Sequence, residues 1–255
     1  MSALRLAKKL PHPELRPDSR RKNEKKIFLC FLIFIGVFAV CLIVGIYHFP
    51  SPRSMEDFSI PRISSSCDAN NNGVDDYTDI LLGAKADAKK HPKYDGRYWA
   101  EGYPPDEIGV CTDVVWRAFR NAGYSLRDMV DQDIAAFPQD YPAAPVRDRN
   151  IDFRRVKNLR VFFDKYAVCL TLDIFDLSSW QPGDIVIFGD DTHIGVVSDL
   201  RDKNGVAYLL HNGGQPNREE AYLSSHRPVA HYRFDASLVP EPVLVLWNDG
   251  LSNSE

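Results

Sequence analysis

The stretch GVCTDVVWRAFRNAG, residues 109–123, carries Val114, Val115, Ala118, Phe119 and Ala122 at helical spacing. That recurrence at i, i+1, i+4, i+5 and i+8 is the buried face of an amphipathic helix, which Gly123 closes as a left-handed cap. Cys111 stands at its head. Unpaired N–H groups and the positive end of the helix dipole stabilise a thiolate there, so this cysteine is expected to have a lowered pKa and a nucleophilic sulfur. The plainer role for a cysteine, a small buried hydrophobe, is the alternative. Asp113, in the first turn, reads as an acid that compensates the dipole.

Downstream, WQPGDIVIF (180–188) is a Pro-Gly turn feeding a strand, HIGVVS (193–198) is a second strand with histidine at its mouth, and VAYLLHN (206–212) is a third. A thiol nucleophile needs a base to take its proton and a third group to orient that base. Cys111 and His193 fit the first two roles. The third falls to His211, with Asn212 as runner-up; strand alternation puts the two on opposite faces, so only one can point at His193. Arg154 and Arg155 precede an expected helix over 159–166 and read as a structural ion-pair site, with a grip on a substrate carboxylate as the other use. The histidines lack the Cys/His spacing of a tetrahedral zinc site.

The order GVCTD (109–113), PGDIV (182–186), HIGVV (193–197) resembles the NlpC-type branch of papain-like cell-wall cysteine peptidases. More closely, CTDVV (111–115), NIDFRRVKNL (150–159), GDIV (183–186), HIGVVSD (193–199) and HYR (231–233) resemble the YijF-like bacterial domain of unknown function, over roughly residues 75–235. The resemblance implies an α+β, papain-like core, a Cys-bearing helix packed on an antiparallel sheet, with Cys111 as nucleophile, His193 as base and His211 as the third residue. It also implies an oxyanion site from the backbone N–H of Cys111 and a side chain of the tyrosine-rich segment 94–103. NlpC-type enzymes usually carry Asp before the cysteine and Ser-Gly after it; Val110 and Thr112-Asp113 stand there instead.

Ahead of this region, DANNNGVDDYTD (68–79) places oxygen donors at loop positions 1, 3, 5, 9 and 12, namely Asp68, Asn70, Asn72, Asp76 and Asp79. Glycine at position 6 and the carbonyl of Val74 at position 7 complete the spacing of an EF-hand calcium loop. An Asn/Asp-rich turn without metal uses the same residue types. A helix is expected over 78–90, but no helix precedes the loop, so it resembles the half EF-hands of dockerin-type modules. Aspartate at position 12, where glutamate is usual, points to weak calcium binding with a structural purpose.

Residues 27–47, IFLCFLIFIGVFAVCLIVGIY, contain no charge and no proline over 21 positions. At 1.5 Å per residue such a helix crosses the hydrocarbon core, and no small-residue cleavage site follows it. Residues 1–26 hold nine Lys/Arg against three acids, a net +6, which leaves −10 on the rest of a chain whose total is −4. The positive-inside rule therefore places 1–26 in the cytoplasm and the main body outside a bacterial membrane, held by a single uncleaved anchor. An acidic body disfavours nucleic acid as partner. Residues 48–66, rich in Pro and Ser, read as a stalk; 67–90 as the calcium loop and helix; 91–235 as the catalytic-type domain; and 236–255 as an acidic tail. On the oxidising side, Cys67 and Cys169 either form a disulfide or stand as two free thiols.

Together these expectations describe a membrane-anchored thiol hydrolase acting on peptide or amide bonds of the cell wall, or on a protein. From a different class comes a non-catalytic, calcium-dependent surface module that binds wall peptide or a partner protein.

Overall fold

The computed structural model describes residues 19–48 and 51–248 and, within the first helix α1 (Ser19–His48), the side chains of residues 26–41. Those side chains cover only part of the anchor expected over 27–47. Among the described residues no helix is long and apolar enough to cross a membrane. Most of the tail over 1–26, and residues 249–255, lie outside the described residues. The chain divides into two units between Pro50 and Ser51.

The second unit is α+β. Helix α2 (Asp76–Lys90) starts where the Asp75 side chain accepts from the Thr78 N–H, and ends at His91 in a left-handed conformation. Helix α3 (Cys111–Asn121) is the one expected from the apolar stripe. Gly123, at φ +90, lets the Tyr124 N–H return to the Phe119 carbonyl, and a Cβ there would stand 2.9 Å from Asn70. The glycine thus both caps α3 and lets loop 68–79 lie against its end. Helices α4 (Leu126–Ala136) and α5 (Val156–Tyr166) follow.

Two short strands, β1 (Lys93–Tyr94) and β2 (Ile108–Gly109), pair in parallel and bring the chain to the head of α3. The main sheet is antiparallel, in the order β3 (Val168–Cys169), β8 (Pro228–Arg233), β4 (Ile185–Phe188), β5 (His193–Arg201), β6 (Ala207–Leu210), β7 (Glu219–Glu220). Helix α3 covers one face, where Val114, Val115, Ala118 and Phe119 join Ile194, Val196 and Leu210 in the larger core. On the other face Val186, Phe188, Val197 and Leu209 form a smaller core with Trp180 and Leu223. Both faces of β4 and β5 are therefore apolar, which is why these strands read as near-continuous hydrophobic runs.

Residues 51–66, expected as a stalk, lie against this body. Arg53 pairs with Arg201 through both backbone groups, Met55 and Ile60 are buried, and the Ile63 N–H reaches Gln181 Oε1 at 3.0 Å. Proline and serine content signalled a linker, but two well-spaced apolar side chains and one strand edge suffice to dock it. The described part of the expected tail is likewise attached: Ala236 and Val239 are buried, and the Trp247 N–H donates to the Gly123 carbonyl.

Candidate active site

The head of α3 is held by two buried ion pairs. Asp113 accepts from Arg154 Nε at 2.8 Å and Nη2 at 2.9 Å, from the Val110 N–H at 2.7 Å and from Trp116 Nε1 at 2.7 Å. Arg117 meets Asp87 of α2 at 2.6 Å and reaches the carbonyls of Pro105 and Ile108 at 2.9 and 2.7 Å. These bonds fix the turn entering Cys111. Gly109 is needed there, because a Cβ would stand 2.9 Å from Arg117 Nη1 and 3.2 Å from Asp113 Cβ. Asp113 is thus more than a dipole-compensating acid. Arg154 serves structure, as does Arg155, which binds the Ala143 carbonyl and Asp152.

Cys111 itself is buried. Burial pushes its thiol up to about 11, and the Asp113 charge adds to this, while the backbone N–H groups of Ile194, Thr112 and Cys111 itself pull the other way. The lowered pKa expected from the helix N-terminus is therefore overturned: the favourable N–H groups are present, but desolvation of the sulfur outweighs them. The Ile194 N–H that reaches the sulfur belongs to the residue after His193, so Cys111 is delivered to the mouth of β5.

His193 Nε2 lies 2.8 Å from His211 Nδ1, and His211 Nε2 lies 3.1 Å from Glu220 Oε1. Strand register explains the alignment. Val197 pairs with Leu209 and Leu209 with Glu220, while the His211 N–H continues the ladder to the Arg218 carbonyl at 3.0 Å. His193, His211 and Glu220 consequently share one face of three adjacent strands, on a diagonal. Asn212 faces away: its Nδ2 ties down the carbonyls of Gly109 and Pro92 at 3.0 and 3.3 Å. Of the two residues considered for the third position, His211 is the one that touches His193. Burial lowers His193 to about 4, with the His226 charge adding to it, and lowers His211 to about 3, helped by the charges of His193, Arg218 and His226.

Three neighbours had no signal in the sequence. The Tyr222 ring lies 4.4 Å from that of His211 and 5.4 Å from that of His193, and stacks on His226 at 3.7 Å. The Gln215 amide stands beside His211, and Glu220 lies on a two-residue strand with no periodicity. Asp184 of the Pro-Gly-Asp turn is structural, accepting from His231 at 3.0 Å and from Arg233 twice at 2.8 Å, with His231 stacked on Trp180. Cys67 and Cys169 form no disulfide and stand as two free thiols.

In loop 68–79, Gly73 takes φ +86 as the turn requires. Asp68 accepts from the N–H groups of Asn72 and Gly73 at 3.1 and 2.8 Å, and the amides of Asn70 and Asn72 both meet Asp79 Oδ2, at 2.8 and 2.9 Å. Asn70, Asn72 and Asp79 are thereby brought together beside Asp68. Asp76 is not; it is buried, taking the Tyr124 hydroxyl at 2.5 Å and the Ala69 N–H at 2.9 Å. Val74 donates its N–H to Asn72 Oδ1 at 2.7 Å. Among the described residues no three His, Cys, Asp or Glu side chains gather as a metal cluster.

Comparison with known proteins gives a family without a chemistry. Residues 81–234 match the family described as Domain of unknown function (DUF1287). The chain is 35% identical over 192 residues to the uncharacterized protein YijF of Escherichia coli (strain K12), an alignment covering 71% of this chain and 91% of that protein. No solved structure matches.

Proposed function

Because the chain belongs to the YijF-like family of Domain of unknown function (DUF1287), whose name assigns no reaction, we propose from the site alone that it is a thiol hydrolase of peptide or amide bonds. One observation carries the reading: a helix-leading cysteine is delivered to the mouth of the strand that bears His193, whose ring is already engaged by His211. Cys111 adds through sulfur to the carbonyl carbon while His193 takes the thiol proton. His193 then gives that proton to the leaving amine, and a thioester remains on Cys111. Water attacks the thioester with His193 as base, releasing the acid and restoring the thiol. The Cys111 backbone N–H serves as an oxyanion donor.

A papain-like, NlpC-type relationship is part of this proposal, supported by the cysteine helix lying on an antiparallel sheet with histidines on adjacent strands. A bacterial membrane anchor over 27–47, supported by the uncharged run and its basic flank, places the domain outside the cell. There cell-wall peptide is the substrate class and nucleic acid is not a partner. The test is release of peptides from purified wall by the full-length chain, with loss expected in Cys111→Ser and His193→Ala. Wall left intact while a Cys111 thioester accumulates on other peptides would move the substrate to a protein. Wall left intact with no thioester would leave the non-catalytic surface module as the function.

We also propose that loop 68–79 holds calcium in a structural capacity. Asp68, Asn70, Asn72 and Asp79 supply convergent side chains and the Val74 carbonyl a fifth donor. Asp76 would serve only after leaving Tyr124, or through water. Bound calcium would supply charge that fixes the loop against Gly123 and the end of α3. The melting temperature should rise with added calcium in the native chain and not in Asp68→Ala; indifference of both sinks the idea.

A further inference from the structure

We infer that Glu220 is a positioning residue that sets the tautomers of both histidines and so leaves Nδ1 of His193 as the unprotonated, proton-accepting nitrogen. The inference rests on the thiol-hydrolase reading above and adds to it a residue outside the Cys111, His193 and His211 set.

Glu220, His211 and His193 form a chain of donors and acceptors. An ionised carboxylate can only accept, so the contact between Glu220 Oε1 and His211 Nε2 requires a proton on Nε2. A neutral imidazole carries one proton, and burial keeps His211 neutral, so its Nδ1 has a lone pair. The 2.8 Å contact with His193 then requires the proton of His193 on Nε2. What remains on His193 is an unprotonated Nδ1, the nitrogen able to receive the thiol proton. Remove the carboxylate, and nothing in the pair fixes this direction: His211 donating from Nδ1 would put the His193 proton on Nδ1 and block proton transfer.

Gln215 is the neighbour that could compete. Its Oε1 is held by the Gly213 N–H at 2.7 Å, so Nε2 faces His211, where it lies 3.2 Å from Nδ1 and 3.1 Å from Nε2. It also lies 3.2 Å from the His211 carbonyl, so its three contacts are nearly equal in length and single out neither ring nitrogen. The other polar or charged groups facing the relay are Cys111 from α3, Arg218 beside β7, and Tyr222 and His226 beyond it. None of them accepts a proton from His211. Burial raises the Glu220 carboxyl, against the pull of His226 and Arg218. Once protonated, Glu220 can donate to His211 Nε2 and reverse the whole chain, so the acid limb of the reaction carries Glu220 as well as the histidines.

The test uses the full-length chain in detergent with 15N-labelled histidine. At pH 7.5 the nitrogen shifts of His193 and His211 should both report the Nε2–H form in the native chain, and Glu220→Ala should lose that signature at His211. In parallel, the rate of Cys111 alkylation by iodoacetamide should fall about tenfold or more in Glu220→Ala and be restored in part by added formate, since the Glu220 side chain is a third exposed. A purely structural glutamate would not be rescued by formate. An Nδ1–H form of His211 in the native chain, or an alkylation rate untouched by Glu220→Ala, overturns the inference. Alkylation untouched by His193→Ala would instead overturn the hydrolase reading itself, and the tautomer measurement would still decide the role of Glu220.

Discussion

At Cys111 and His193 the same desolvation acts on opposite kinds of group. It raises the thiol to about 11 and lowers the imidazole to about 4, so both are uncharged at neutral pH and no ion pair stands ready. Proton transfer to His193 is then coupled to attack on substrate. Alkylation of Cys111 should accordingly keep rising with pH beyond 9 and lag behind that of exposed Cys169; a plateau below pH 7 would show a preformed thiolate. The histidines also tie stability to pH. With a folded pKa near 4 against the ordinary 6.5, His193 binds its proton more readily in the unfolded chain, so stability is full above pH 6.5 and falls as pH drops toward 4. The loss is about 3 kcal/mol from His193 at pH 4, and His211 adds loss of the same sign. Urea midpoints at pH 7 and 4.5 should separate widely in the native chain and less in His193→Gln.

Among the elements, those with a strong period were legible. Helix α3 follows from its stripe and from Gly123, and β4, β5 and β6 follow from apolar runs bounded by Pro-Gly and short loops. Helix α4 gave no such signal, because Asp128, Asp131 and Asp133 interrupt its apolar positions. Two of these are buried and find partners that only the tertiary structure supplies, Arg147 for Asp131 and Lys165 with Tyr166 for Asp133. Strand β7 is two glutamates whose conformation is imposed by pairing with β6, so Glu220 could not be read as a site residue. Asp113 was legible as a first-turn acid but not as the partner of Arg154, 41 residues away. Both side chains are almost wholly buried, so removing either partner strands a charge, and Asp113→Ala should cost about 3–5 kcal/mol. Asp113→Leu combined with Arg154→Met should recover only part of this, because the Val110 and Trp116 N–H groups are left without an acceptor. Chemical denaturation of the three variants would measure both effects; full recovery in the double variant would show that the charge pair alone matters.

For the second unit as a whole, the folded body extends beyond the segment matched to the family at both ends. Residues 51–66 close one end of the sheet through Arg53 and Arg201, and the segment after Arg233 covers the end of α3, where Trp247 stacks on Trp116 with 6.4 Å between rings. If residues 51–66 were only a tether, changing their side chains would leave stability alone. Met55 is 4% exposed and Ile60 8%, and full burial of such side chains contributes about 1.5–3 kcal/mol each. Met55→Ser with Ile60→Ser should therefore destabilise the unit by about 3–6 kcal/mol, a large part of the roughly 5–15 kcal/mol that holds an ordinary domain folded. The same pair of changes should free Gln181, whose Oε1 takes the Ile63 N–H and whose Nε2 reaches the Pro61 carbonyl at 3.1 Å. Gln181 and Asp184 share the turn that launches β4, and β4 carries β5 with His193 at its mouth. A linker-only segment predicts an unchanged melting temperature and unchanged Cys111 alkylation. The docked segment predicts a lower melting temperature, and amide exchange that speeds up first at residues 181–188.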